Sequence, residues 1–263
     1  MGTYMAGSRR NYAIEFGEGR PLLLLHGISN TGRAWAPQVP ALAGAGYRVI
    51  VPDHAGHGAS APVTTPFGVS ELADDIEIML AAMDIANCDI VGLSLGGMVA
   101  LELALRRPER VGRMIVANSF DCTATPTFAG LAESWARTFE QPQGPLRRFE
   151  ANWPSLVSPA FQTTAEGLRT YQVWHALAAV ADGPSLANVS RGITTFDVSQ
   201  RIAELAMPTL FIAGGLDGMS PPDLGRALAE RAPQGEFSLI GEAAHISNVD
   251  TADAFTRRVL EFL

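Results

Sequence analysis

Along this chain, short apolar runs alternate with stretches whose apolar residues recur at helical spacing. Residues 22–25, 48–51, 89–91, 113–117, 209–213 and 236–240 are runs of strand length and predict strands buried on both faces. Between them the period changes. Over 69–85, Leu72, Ile76, Met79, Leu80 and Met83 recur every three or four residues, which predicts an amphipathic helix. Near the end, Phe255, Val259 and Phe262 repeat that spacing and read as core rather than as a dimer surface. Strands alternating with helices predict a mostly parallel sheet flanked by helices, an α/β class.

The rhythm breaks between Phe120 and about Ser199. This stretch carries Trp135, Trp153 and Trp174, together with Phe128, Phe139, Phe149, Phe161 and Tyr171. It reads as a helical insertion over the sheet. Most of these aromatics should form its own small core, and a minority should line a pocket.

Composition narrows the functional classes. At 263 residues, 47% hydrophobic and 17% charged, the chain can bury a sizeable core. The net charge of −8 argues against a nucleic-acid partner. All 19 basic residues are arginine, so Schiff-base and general-base lysines are excluded. Two cysteines, Cys88 and Cys122, are too few for a disulfide framework and read as buried fillers. No signal peptide or membrane-spanning run is visible, and a cytoplasmic protein is expected. Nothing in the pattern reports oligomeric state.

The chemistry concentrates in Gly92-Leu93-Ser94-Leu95-Gly96, where a strand pattern becomes a helix pattern. A serine on such a sharp turn needs small neighbours, and the helix that follows offers free N–H groups to an oxyanion. This is the G-x-S-x-G nucleophile elbow, with Ser94 as nucleophile. Serine needs a base close by. His245 follows the last predicted strand and lies downstream of Ser94, as the order nucleophile, acid, histidine requires. Asp217, in the glycine-rich loop after 209–213, is the favoured acid, and Asp121 is its rival. The oxyanion donors should be the N–H groups of Leu95 and of Ile28, on the loop after 22–25. His26 then shapes that loop rather than reacting. His54 and His57 invite a metal reading, but their glycine-rich loop has no accompanying ligand cluster, so neither metal nor cofactor is expected.

HG at 26–27, D-x-x-G-H-G-x-S at 53–60, GLSLGG at 92–97, the Asp217 loop and His245 together resemble the α/β-hydrolase superfamily. The resemblance covers about 20–120 and 200–263, with Ala55 where the family often has arginine. GLSLGGMVALELALRRPERV with VANS, and AHISNVDTADAFTRRVLEFL, look closer to 3-oxoadipate enol-lactonases. The resemblance implies a hydrolase core over 1–119 and 200–263 and a helical cap over 120–199. It implies a serine hydrolase that cleaves a small ester or lactone through an acyl-enzyme. A carbon–carbon bond hydrolase, a cofactor-free perhydrolase and a slow-turnover ligand receptor are the alternatives. Trp135, Arg147, Trp153, Trp174 and His175 are the substrate-contact candidates. If the substrate is an anionic lactone, Arg147-Arg148 or Arg137 should supply the positive charge.

Overall fold

A computed structural model describes residues 2–263; Met1, the first residue of the expected core, lies outside the described residues. Eight strands form one sheet in the order β1-β2-β4-β3-β5-β6-β7-β8. They are β1 (Gly2–Ala6), β2 (Arg9–Phe16), β3 (Arg20–Leu25), β4 (Tyr47–Pro52), β5 (Cys88–Leu93), β6 (Val111–Ala117), β7 (Thr209–Gly214) and β8 (Gly235–Ile240). β1 and β2 pair antiparallel, as do β2 and β4, and every later pairing is parallel. The six predicted strands are all present. β1 and β2 are additional. They are buried on one face only, at Tyr4, Ala6, Asn11 and Ala13, so they alternate instead of forming an apolar run.

The short connections carry α1 (Val39–Gly44), α2 (Val69–Ala82) and α3 (Leu95–Arg106). The predicted helix over 69–85 ends at Ala82, where Asp84 takes a positive φ of 54°. Between β6 and β7 the strand rhythm gives way to α4 (Pro126–Phe139), α5 (Gly144–Leu156), α6 (Pro159–Gln162), α7 (Ala165–Val180) and α8 (Gly183–Gly192). α9 (Pro222–Arg231), α10 (Ser247–Asp250) and α11 (Ala252–Phe262) complete the chain.

The period-2 geometry of a strand explains why Leu22–Leu25 is apolar throughout. Leu23 and Leu25 pack with α2, α3 and α9 on one face, whereas Leu22 and Leu24 pack with α1 and α11 on the other. Phe255 and Val259 are fully buried in that second layer, so the C-terminal stripe is core. Cys88 is buried, but Cys122 is only half-buried. Among the described residues no helix is long and apolar enough to cross a membrane.

Candidate active site

Parallel strands end together, and the loops at their C-terminal ends meet at one rim of the sheet. Here the loops after β3, β5, β7 and β8 bring Ile28, Ser94, Asp217 and His245 to that rim. Ser94 lies between β5 and α3 with φ 55° and ψ −117°, a backbone state that ordinary residues avoid. The turn holds because its neighbours lack side chains. A Cβ on Gly92 would strike the Gly96 carbonyl, and one on Gly96 would strike the Leu25 carbonyl. Ser119 adds a further tie by donating its hydroxyl to the Ser94 carbonyl at 2.7 Å.

His245 stands between the other two groups. Its Nε2 is 3.1 Å from Ser94 Oγ, and its Nδ1 is 2.9 Å from Asp217 Oδ2. All three residues are buried. Asp217 is held from several sides. Oδ1 accepts the Met219 and Ser220 N–H groups, and Oδ2 accepts from Ser220 Oγ and Asn118 Nδ2. Burial alone would push this carboxyl up; the hydrogen bond and charge of His245, with those from Ser220 and Asn118, bring it down to about 2. Asp217 therefore stays ionised beside the imidazole at neutral pH. The rival acid, Asp121, is tied instead to Arg231 at 2.5 Å.

Asn118, which the sequence did not reveal, holds Asp217 from the end of β6. It takes φ 47°, donates to Asp217 and accepts the Ser247 hydroxyl at 2.5 Å. The only trace of it was an asparagine just past a strand, in VANS.

Leu95 opens α3, so its N–H has no partner one turn earlier in the helix. The Ile28 N–H also has no acceptor among the described residues, and both residues line the cavity beside Ser94. The loop that carries Ile28 is braced by histidines. His26 Nε2 accepts the His54 N–H at 3.0 Å, and His54 Nε2 donates to the His26 carbonyl at 3.1 Å. His57 packs against both rings. Burial pushes His26 down to about 4, His54 well below its ordinary value and His57 to about 3, so all three are neutral. Asp53 anchors the same region, accepting from the Gly32 and Ala59 N–H groups. The 53–60 motif thus works as a brace, without an arginine at position 55.

Above Ser94 opens a cavity of about 1050 Å³, its open mouth included. Helices α4, α5 and α7 supply much of its wall. Trp135 and Trp174 line it, as the sequence suggested. Arg147, Trp153 and His175 do not, and helix geometry gives the reason. On α5, Pro145, Arg148, Phe149, Asn152 and Leu156 recur every three or four residues and line the cavity, which leaves Arg147, about 100° round from Arg148, on the exposed side. Trp153 is buried among Phe149, Tyr171 and Trp174, where it builds the segment's own core. His175 points outward to Glu150 at 3.2 Å. Arg137 is likewise outside, paired with Glu133.

The helical segment is fastened to the histidine loop. The Ile246 N–H donates to the Leu156 carbonyl at 2.9 Å. Asp250 Oδ2 accepts the Ser158 and Ala244 N–H groups, each at 2.8 Å.

Known proteins resemble the chain over its whole length. A family model described as "alpha/beta hydrolase fold" matches residues 20–173. A protein of Pseudomonas syringae pv. syringae (strain B728a) named "Putative carbamate hydrolase RutD" is 30% identical over 96% of both chains. The enol-lactonase of Burkholderia xenovorans LB400 superposes with a TM-score of 0.91 at 25% identity, covering 99% of each chain. A thermophilic esterase from Thermogutta terrifontis, solved with malate bound, also gives 0.91 at 25% identity, over 98% of this chain and 95% of its own.

Proposed function

Because the chain belongs to the α/β-hydrolase family, we propose that it is a serine hydrolase that opens a small carboxylic ester or lactone. The observation that carries this reading is the Ser94–His245–Asp217 relay, with contacts of 3.1 and 2.9 Å, at the floor of a largely apolar cavity. Ser94 Oγ attacks the carbonyl carbon while His245 Nε2 takes its proton. Ionised Asp217 fixes the imidazole's tautomer and stabilises the imidazolium. The oxyanion sits against the N–H groups of Leu95 and Ile28. His245 then protonates the departing alkoxide, and the acyl group remains on Ser94. Water, activated by the same histidine, releases the acid. Written this way, the reaction uses no cofactor.

Residues 120–199 act as a cap that shapes the pocket, on a core formed by 1–119 and 200–263. The likeness to the Burkholderia enzyme favours an enol-lactone as the finer reading. The curated relative's name favours a second one, attack on a carbamate carbonyl. The test is turnover of 3-oxoadipate enol-lactone, simple aryl esters and an aryl carbamate, with Ser94→Ala as control. Enol-lactone hydrolysis that disappears in the variant supports the full reading. Turnover of the carbamate alone transfers the same relay to the second reading. Activity that survives in Ser94→Ala overturns both.

A further inference from the structure

Every acid and base of the helical segment that touches the cavity can be counted, and there is one. Arg148, on α5, is 9% exposed and lines the cavity beside Ser94 and His245. No Asp, Glu or second Arg is among the lining residues. The other arginines of this segment that face carboxylates are paired: Arg137 with Glu133, Arg169 with Glu166, and Arg191 with Glu133 and Glu140. Arg148 makes no ion pair among the described residues, and its buried Nε has no hydrogen-bond partner. Its guanidinium lies over Trp135, 4.3 Å from the ring centroid, and 5.3 Å from that of Phe139.

A buried charge without a counter-ion is unfavourable, and ring faces replace only part of the lost hydration. Burial pushes Arg148 down to about 10, so it still carries its proton at neutral pH. The chain therefore holds a fixed, poorly hydrated cation against the wall of its own reaction cavity. Two aromatic faces set its plane, which leaves its donors to serve a ligand. Asn152, one turn further along α5, lines the same wall and adds an amide.

We propose that the cavity selects substrates bearing a carboxylate away from the reacting carbonyl, and that Arg148 is the specificity-determining residue that receives it. The planar donor fork matches a carboxylate in shape, and its single charge matches it in number. A phosphate dianion would leave one negative charge unbalanced among apolar walls. The assignment names the substrate class of the hydrolase site proposed above and rests on that reading.

The test compares mono-4-nitrophenyl glutarate with neutral 4-nitrophenyl pentanoate in the wild type, Arg148→Met, Arg148→Lys and Arg147→Met. The wild type should prefer the glutarate ester. In Arg148→Met the ratio of kcat/KM, anionic over neutral, should fall about 10- to 100-fold, mostly through KM. Arg148→Lys should retain part of the preference, and the exposed Arg147→Met should retain all of it. A ratio unchanged in Arg148→Met overturns the proposal, whereas a merely structural arginine would lower both substrates alike. Binding separates this outcome from failure of the hydrolase reading. Glutarate titrated into each protein should change the fluorescence of Trp135 and Trp174, with affinity at least about tenfold weaker in Arg148→Met. That loss sustains the anion site even where no ester is cleaved. Equal affinity in both proteins, or none in the wild type, overturns it.

Discussion

The floor and the roof of the cavity follow opposite rules. On the floor, at the rim of the sheet, polar groups are held by several partners each: Asp217 receives hydrogen bonds from three residues besides His245, and Asn118 ties two loops together. The roof, built from α4, α5 and α7, is mostly aromatic and carries, among the described residues, one buried cation without an ion pair, Arg148. A densely bonded floor keeps Ser94, His245 and Asp217 in register, which is what the proposed reaction needs of preorganised groups. A roof that leaves a charge unsatisfied has room for a ligand to complete it. The difference teaches where to look for chemistry and where to look for selection.

The comparison breaks first at Ser94. Ser94→Ala should lower kcat by about 10⁶ with the fold intact, measured as single-substrate turnover beside a circular dichroism spectrum. A small loss would mean that the floor is not where the reaction occurs.

Asp217→Asn should cost about 10⁴ in kcat, because the amide supports the wrong imidazole tautomer. It should also alter acid stability. Folded Asp217 titrates near 2 against 3.8 for the free side chain, so its contribution is present above 3.8 and is lost as the pH falls from 3.8 toward 2. The variant should lack that component, so the stability gap between the two proteins should close over this window. Denaturant titrations at pH 2, 3, 4 and 6 would show it.

At the seam between floor and roof, Asp250→Ala strips the acceptor from two N–H groups, those of Ser158 and Ala244. Leaving them unpaired should cost about 1–3 kcal/mol of stability. Because Ala244 precedes His245, kcat should fall as well, and thermal unfolding together with kinetics would read both effects. Stability loss with unchanged kcat would show that the floor holds its geometry without the seam.

The smallest effect is on the roof and has the opposite sign. Arg148→Met removes an unpaired buried charge, so stability should rise by about 1–2 kcal/mol and Tm by a few degrees. A fall in Tm would mean that the contacts with Trp135 and Phe139 outweigh the charge penalty. No substitution that removes a hydrogen-bond donor to Asp217 should be stabilising.

Much of the floor could be read from the chain because its signals are local. Gly92 and Gly96 bracket Ser94 for a steric reason that any strand-to-helix turn of this kind imposes, and Asp217 and His245 each follow an apolar run directly. Five of the six predicted runs are strands for an equally local reason, since a parallel strand covered on both faces has little polar side to show; the sixth, 236–240, was expected to be buried on both faces, but β8 ends the sheet and only its Ile240 is buried. β1 and β2 escaped notice because a strand with one open face alternates polar and apolar residues. Asn118 and Ser220 escaped because an asparagine or serine after a strand gains its role only when another loop folds against it.

The roof was decided by tertiary structure. Its helical character and aromatic content are plain in the sequence, yet nothing local separates Arg147 from Arg148, or Trp153 from Trp174. One step along a helix turns a side chain by about 100°. Which step faces the cavity depends on how α5 lies against α4 and α7 and on the bonds that Leu156 and Ser158 make to the His245 loop. The amino-acid sequence alone determined six of the eight strands, the turn at Ser94 and the chain order of Ser94, Asp217 and His245, because sterics and burial act on neighbours in the chain. Only the packed fold decided which arginine would remain buried without a partner, because that depends on contacts between residues far apart in sequence.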